Sequence, residues 1–478
     1  MLFRQIFDEH LAQYAYLVGC QQTGEALLID PERDIDRYIE MARREDLTIT
    51  AVTETHIHAD FLSGARAFAE RGTKVYLSDA GDADWKYQWA DKGDYDVILL
   101  HDGDTFTIGN IEIKAVHTPG HTPEHIAFLI TDHGGGADEP MGLASGDFVF
   151  VGDLGRPDLL ESAAGQAGAQ EPAARRLYAS VQDFLKLPDY LQVWPGHGAG
   201  SACGKALGAV PETTVGYERR FNASIDAAKR GEAAFVSAIL EGQPEPPLYF
   251  GRMKKLNKQG PPLLDALPQP DALAADDLTN LAGRTDIALV DTRQDRSAFM
   301  QRHIPGTLYA PFDKSFPTVT GSYIKPDTPI YLITDEEHLA EAVRDLVRIG
   351  LDNVAGYATF ETLETYADQG GEMTSTQEID MTDLDAFGGQ DNIQVLDVRR
   401  KSEFDAGHVP DAQNIAHTRL LDRLDEVPED KRLLVHCRTG ARSAVAAAML
   451  ERAGHDVVYV NGLIDNWKTL HEEQVVEA

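Results

Sequence analysis

The chain reads as a multidomain α/β protein, and three observations predict this. At 478 residues it is too long for a single hydrophobic core. Its first half alternates short β-rich runs with Gly/Pro turns and a few helical stretches, and histidines or aspartates follow several of those runs. Its second half carries the same strand–helix series twice.

The candidate strands of the first half are Tyr14–Val18, Ala26–Ile29, Thr48–Val52, Lys74–Leu77, Ile111–Val116 and Ile126–Ile130. The Gly/Ala-rich stretch Glu161–Gln170 is expected as a surface loop. Proline and glycine clusters at 242–247 and 260–262 punctuate the end of this region, which gives a first domain over 1–250. The repeat follows. Ala288–Arg293, Ala298-Phe299 and His303–Gly306 return as Gln394–Arg399, Glu403-Phe404 and Gly407–Pro410. Each set leads to a second strand (Ile330–Ile333; Leu433–Val435), a helical pattern and a further strand ending in glycine. Such alternation predicts a parallel sheet present twice, in domains 270–375 and 380–478. The copies differ after the second strand: the later one has Cys437, and aligning the strands puts Asp335 there in the earlier one.

Composition narrows the function classes. With 43% hydrophobic and 25% charged residues, the chain has a soluble globular composition. Its apolar runs are strand-sized, so no membrane helix is expected. Met1–His10 carries Arg4, Asp8 and Glu9 without an apolar stretch, so no secretory signal is expected. Three distant cysteines, an odd number, argue for a reducing cytoplasm rather than a disulfide framework. Cys20, at the end of an apolar strand, reads as a small core hydrophobe. A net charge of −35 repels nucleic acid and anionic membranes. Small molecules are the expected partners, with a homo-oligomer as the expected assembly.

The chemistry-bearing residues come in a fixed order. His56, His58 and Asp60 stand at alternate positions just past the run Leu47–Val52. Phe61 follows, where a further ligand would admit a second metal. His117, His121 and His125 are evenly spaced, but Pro119 and Pro123 exclude a regular helix, so one of them at a sharp turn supplies a ligand. Then come Ser145-Gly146-Asp147 and Pro195-Gly196-His197.

That ordered set resembles the metallo-β-lactamase superfamily, an αβ/βα sandwich with metals at the sheet edges. Members with two zinc ions, such as glyoxalase II hydrolases, have histidine in place of Phe61. A dinuclear zinc thioester hydrolase fused to a rhodanese is therefore the alternative reading. The closer resemblance is to persulfide dioxygenases. It implies one Fe(II) per chain on His56, His121 and Asp147, with three positions open for substrate sulfur and O₂. His58, Asp60 and His197 would then orient those ligands or hydrogen-bond the substrate. Arg156, in a Gly-Arg-Pro-Asp stretch, is expected either to clamp a glutathione carboxylate or to form a structural Arg–Asp pair. Cys203, next to Gly204 and Lys205, is a candidate persulfide carrier or redox thiol with a lowered pKa.

In the last domain, Val435–Ser443 reads as strand, loop and helix, with Cys437 leading the loop and Arg442 closing it. Backbone N–H groups and a helix N-terminus directed at a thiolate lower its pKa. Arg438 and Arg442 add positive charge for sulfite or thiosulfate. The loop, with Asp397-Val398-Arg399 and Gly407–Pro410, resembles a rhodanese domain. The earlier copy resembles a rhodanese without its nucleophile. Together the resemblances imply a persulfide dioxygenase–sulfurtransferase of sulfide detoxification. Its substrate would be a thiol persulfide of glutathione or coenzyme A type, oxidised with O₂ to sulfite and thiol, while Cys437 forms or uses thiosulfate.

Overall fold

The computed structural model describes residues 1–163, 165–205, 207–387 and 392–471. The chain forms two compact units, Met1–Ala266 and Leu267–Ala478.

The first unit holds two six-stranded sheets. One contains β1 (Leu2–Asp8), β2 (Gln13–Cys20), β3 (Glu25–Ile29), β4 (Thr48–Thr53), β5 (Lys74–Ser78) and β6 (Val97–Leu100), in that spatial order. The other contains β7 (Thr105–Ile108), β8 (Ile111–His117), β9 (Ile126–Asp132), β10 (Gly142–Gly146), β11 (Gln192–Pro195) and β12 (Thr213–Thr214). Alternation within β2 explains the layering. Tyr14, Tyr16 and Val18 face the second sheet, where they meet Ile111, Ile113, Phe128 and Trp194. Ala15 and Leu17 point the other way, toward Tyr38, Phe68 and Trp89. A strand covered on both faces reads as a continuous apolar run, and every residue of β2 is buried. The far side of the second sheet is covered by helix Gln170–Phe184 and its neighbours through Leu177, Val181, Ile225 and Phe235. The result is helix, sheet, sheet, helix.

Two expectations shift. The Gly/Ala-rich stretch is helical at its edges, in Leu159–Ser162 and from Gln170 onward, because Leu159 and Leu160 are buried; its position 164 lies outside the described residues. A boundary at 250 would remove helix Phe250–Gln259 from the unit it serves. Buried Asn257 on that helix donates to the carbonyls of His58 and Phe61, at 2.8 and 2.7 Å, and accepts from the Ser63 N–H.

The second unit carries two five-stranded parallel sheets. They are built from β13 (Asp271–Ala272), β14 (Ala288–Asp291), β15 (Leu308–Tyr309), β16 (Ile330–Ile333) and β17 (Val354–Ala358), then β18 (Gln377–Asp380), β19 (Ile393–Asp397), β20 (Gln413–Asn414), β21 (Arg432–His436) and β22 (Val457–Asn461). The orders 13-17-16-14-15 and 18-22-21-19-20 are the same permutation, so the sequence repeat is a repeat of topology. Register corrects one alignment. Asp291 lies opposite Ile333 as Asp397 lies opposite His436, and each aspartate accepts from the arginine two residues on. Thr334, not Asp335, therefore occupies the position of Cys437. Residues 388–391 and 472–478 of the expected last domain lie outside the described residues.

Candidate metal centre and cysteine loop

At the end of β4 the chain enters a buried loop anchored by Asp30, which follows β3 and has φ +51°. Asp30 accepts the Thr55 N–H at 2.7 Å and the Thr55 hydroxyl at 2.9 Å. With its one proton given to Asp30, the Thr55 hydroxyl must accept from His56 Nδ1, 2.9 Å away. His56 Nε2 is thereby left as a lone pair. His121 is fixed the same way: its Nδ1 lies 3.1 Å from the Arg156 carbonyl, which can only accept, so its Nε2 is also a lone pair. The two Nε2 atoms stand 3.9 and 3.5 Å from Asp147 Oδ2, a buried atom with no hydrogen-bond partner. The ligating atoms of His56, His121 and Asp147 all lie within 4.8 Å of one another. Two neutral imidazoles and one carboxylate oxygen converging on a common point fit a divalent metal ion.

The choice among the three later histidines follows from hydrogen bonding. His125 Nε2 accepts the Asp147 N–H at 3.1 Å, and its Nδ1 pairs with the Thr118 hydroxyl at 2.7 Å. His117 is bound to the Pro123 carbonyl at 2.8 Å. Only His121 presents an unused nitrogen to the centre.

The remaining polar residues set charge. His197 lies 2.7 Å from Asp147 Oδ1 through Nδ1 and 2.7 Å from Asp60 Oδ2 through Nε2. Burial opposes protonation of His197, but the two carboxylates outweigh it and push its pKa well above the ordinary value. Burial would raise Asp147, yet His197 and the other imidazoles hold it below the usual carboxylate range. His58 is bound to Asp30 Oδ1 at 3.1 Å and pushed up to about 9, because Asp30 overcomes the opposing burial. Burial and then His58 push His56 well below its usual value, which suits a neutral ligand. Gly146 sits at φ +51°, and a Cβ there would lie 2.6 Å from Thr55 and 2.8 Å from His125 Nε2, so the turn presenting Asp147 requires glycine. Phe61 is fully buried, its ring centroid 4.3 Å from that of His58.

Two sequence expectations need correction. Arg156 is fully buried and forked onto Asp158 at 3.0 and 2.6 Å, and it also donates to the carbonyls of Ala202 and Pro244. It is the structural Arg–Asp pair rather than a carboxylate clamp. Cys203 does lie by the centre, its Sγ within 4.8 Å of potential ligand atoms of Asp60 and His197. Its thiol, however, is pushed well up by burial and then by Asp60 and Asp147, while the Lys205 ammonium binds the carbonyls of Ala238 and Glu241. Cys20 packs in the inter-sheet core. Sequence reasoning named His125 only as one of three candidate ligands, and missed Asp30, Thr55 and Asn257. Asp30 had a readable signal, a carboxylate directly after an apolar strand; Asn257 had none.

In the second unit Cys437 leaves β21 fully buried. Its Sγ accepts the Gly440 N–H at 3.2 Å, and the Ser443 hydroxyl stands 3.5 Å from Sγ but closer to the Gly440 and Val460 carbonyls, at 3.1 and 3.2 Å. Gly440 has φ +91°, and a Cβ there would lie 2.2 Å from Asn461 Oδ1. Arg442 forks onto Glu403 at 2.6 and 2.8 Å, whereas Arg438 is exposed. Helix Ala441–Arg452 follows, so four residues, Cys437 to Gly440, separate strand from helix. In the first copy only Thr334 and Asp335 separate β16 from helix Glu336–Arg348, and no loop of this form exists there. No described helix is long and apolar enough to cross a membrane.

Comparison with known proteins agrees with this architecture. Residues 9–197 match the metallo-beta-lactamase superfamily and residues 380–470 match the rhodanese-like domain. A solved structure described as a metallo-beta-lactamase from Staphylococcus aureus subsp. aureus COL is 42% identical, with a TM-score of 0.67, over 75% of this chain and 99% of that one. A probable metallo-hydrolase of Burkholderia pseudomallei is 32% identical over 41% of this chain and 72% of its own. The mitochondrial persulfide dioxygenase ETHE1 of Bos taurus is 27% identical over 41% of this chain and 68% of its own. The chain belongs to the metallo-beta-lactamase superfamily, its metallo-beta-lactamase fold being followed by a rhodanese-like domain.

Proposed function

We propose that the chain is a persulfide dioxygenase joined to a sulfurtransferase, acting on a low-molecular-weight thiol persulfide. One observation carries the reading. His56, His121 and Asp147 converge from one side, while buried Phe61 stands against His58, where a dinuclear centre would need another nitrogen ligand. The resemblance to persulfide dioxygenases supports iron over zinc. These three residues would hold one Fe(II), which supplies the binding of sulfur and O₂ side by side and the redox chemistry between them. Thr55 and the Arg156 carbonyl keep both imidazole ligands in the metal-binding tautomer. His197 holds Asp147 ionised through Oδ1 and leaves Oδ2 directed inward. The balanced reaction is RSSH + O₂ + H₂O → RSH + SO₃²⁻ + 2H⁺, in which the outer sulfur gives up the four electrons that dioxygen takes.

At Cys437 the thiolate takes the outer sulfur of thiosulfate and releases sulfite, or runs this step in reverse. The Gly440 N–H and the start of helix Ala441–Arg452 stabilise the anionic sulfur. The first copy, with Thr334 at that position and no loop, has no sulfurtransferase role of its own. Covalent fusion raises the effective concentration of the intermediate shared by the two reactions.

The hydrolase reading rests on the 32% identical metallo-hydrolase and on Asp60, His197 and Cys203, whose ligating atoms also lie within 4.8 Å of one another. Metal content measured together with oxygen uptake separates the two. The dioxygenase gives about one iron per chain and persulfide-dependent O₂ consumption, and C437S abolishes thiosulfate turnover while leaving O₂ uptake in place. Two zincs per chain with thioester cleavage, or loss of O₂ uptake in C437S, overturns the assignment.

A further inference from the structure

Helix Phe250–Gln259 is a local exception to the charge of the chain. It carries Lys254, Lys255 and Lys258 and no carboxylate, whereas the whole sequence has 78 acidic residues against 43 basic ones. Residues three and four apart share a helix face, so Lys258 stands beside both of the others. With Gln88 and Gln166, the three lysines line a cavity of about 450 Å³. That volume is in the range of small organic ligands. Lys258 meets the exposed carboxylate of Asp84 at 3.6 Å. Lys255 is exposed and pairs with no carboxylate among the described residues. The cavity thus presents an excess of positive charge, which favours an anionic ligand.

Lys254 differs from its two neighbours in being held in place. Its Nζ lies 3.3 Å from the centroid of the Trp85 ring, and Trp85 is buried. Glu124, fully buried, faces it from the turn that bears the histidines, and is itself fixed by accepting the Ile57 N–H at 2.8 Å. Asp82 and Asp84, beside Trp85, and Lys258 on the same helix complete the charges around the amine. Burial pushes the Lys254 ammonium down to about 8 against the opposing pull of Glu124, Asp84 and Asp82, and Lys258 adds to the lowering. Near that pH about half of the Lys254 side chains carry a free electron pair. Such an amine is a nucleophile rather than a solvated point charge.

We propose that Lys254 is an acylation site, its amine taking the acyl group of a small acyl phosphate whose phosphoryl end is held in the cavity by Lys255 and Lys258. The Lys254 nitrogen attacks the acyl carbon. A C–N bond forms, the C–O bond to phosphate breaks with its electron pair, and one amine proton leaves as part of hydrogen phosphate. The step is RCO–OPO₃²⁻ + R′NH₂ → R′NH–COR + HPO₄²⁻, with no oxidant or reductant. Neither metal nor persulfide enters it. The amide product is uncharged, so acylation removes the cation that faces Glu124.

The test treats the full-length protein with acetyl phosphate or with the uncharged donor N-hydroxysuccinimidyl acetate, and follows acetylation of each lysine by mass spectrometry. With acetyl phosphate, Lys254 reacts about tenfold faster than the median of the other lysines. K255A slows acetyl phosphate at Lys254 about threefold, the effect of removing one exposed charge from beside an anion. The same variant leaves the rate with the uncharged donor unchanged. A Lys254 rate at or below the median with acetyl phosphate overturns the acylation site. If K255A slows both donors equally, or neither, the phosphoryl-binding role of the cavity is overturned.

Discussion

Whether a histidine here is free to bind a metal depends on what its other nitrogen touches. His121 and His125 are four residues apart in one turn, and their letters in the sequence are equivalent. The Asp147 N–H occupies His125 Nε2, and the Arg156 carbonyl frees His121 Nε2. The two substitutions therefore separate. H121A is expected to purify with almost no iron, since it removes one of three ligands. H125A keeps all three but loses the partner that orients Asp147, and such losses weaken metal affinity by about 10–100-fold. H125A should accordingly load with iron at high metal concentration and release it to a chelator faster than wild type. Iron content after dialysis checks both; equal loss in the two variants would show that His125 also ligates. The HxHxD, turn-histidine and SGD pattern pointed to the residues that the fold brings together as a candidate centre. Which nitrogen faces inward was not legible, because it depends on a backbone donor and a carbonyl brought there by distant strands.

At the scale of elements, a strand, a loop and a helix N-terminus build the cysteine site, and a neighbouring short helix locks it. Glu403 in helix Lys401–Asp405 is forked by Arg442 in helix Ala441–Arg452. Burial would raise the Glu403 carboxyl, but the Arg442 hydrogen bonds and charge outweigh it and hold it at about 2, below its ordinary 4.5. A carboxyl lowered by folding adds stability that is present above its unfolded pKa and is lost as the pH falls through its folded pKa. The window is thus about 4.5 down to 2. In E403Q that acid-dependent component is absent, so unfolding free energy falls less steeply across this window than in wild type, although the variant starts lower near neutrality. Urea denaturation of both proteins at several acidic pH values measures the difference, and parallel slopes would refute it. The repeat predicted both parallel sheets, and register places Thr334 where sequence alignment had put Asp335. The connection before helix Glu336–Arg348 is two residues shorter than that before helix Ala441–Arg452, a difference that apolar patterning does not reveal.

For the whole molecule, strand runs and motifs marked the architecture, while the extent of the first unit depended on Asn257 reaching back to the His58 and Phe61 carbonyls. Such a bond leaves no periodic trace in sequence. Charge, by contrast, is fully legible and has a global consequence. With 78 acidic and 43 basic residues, one-to-one pairing of every cation still leaves a net charge of −35. Added salt weakens two opposed interactions: attraction in exposed ion pairs such as Arg175 with Glu171 and Glu232, and repulsion among the unpaired carboxylates. Exposed pairs contribute about 0–1 kcal/mol each, and they are short-range. Repulsion extends over about a Debye length, near 30 Å at 0.01 M and about 8 Å at 0.15 M salt, so it takes in many neighbours at once. The acidic excess makes repulsion outweigh attraction, and screening it stabilises the fold. Raising KCl from low to moderate concentration at neutral pH should therefore raise the thermal midpoint by roughly 2–4 °C for each kcal/mol gained in a unit of about 150–250 residues. Scanning calorimetry across a KCl series tests this. A falling midpoint would mean that the ion pairs dominate and that the acidic surface is organised rather than merely abundant.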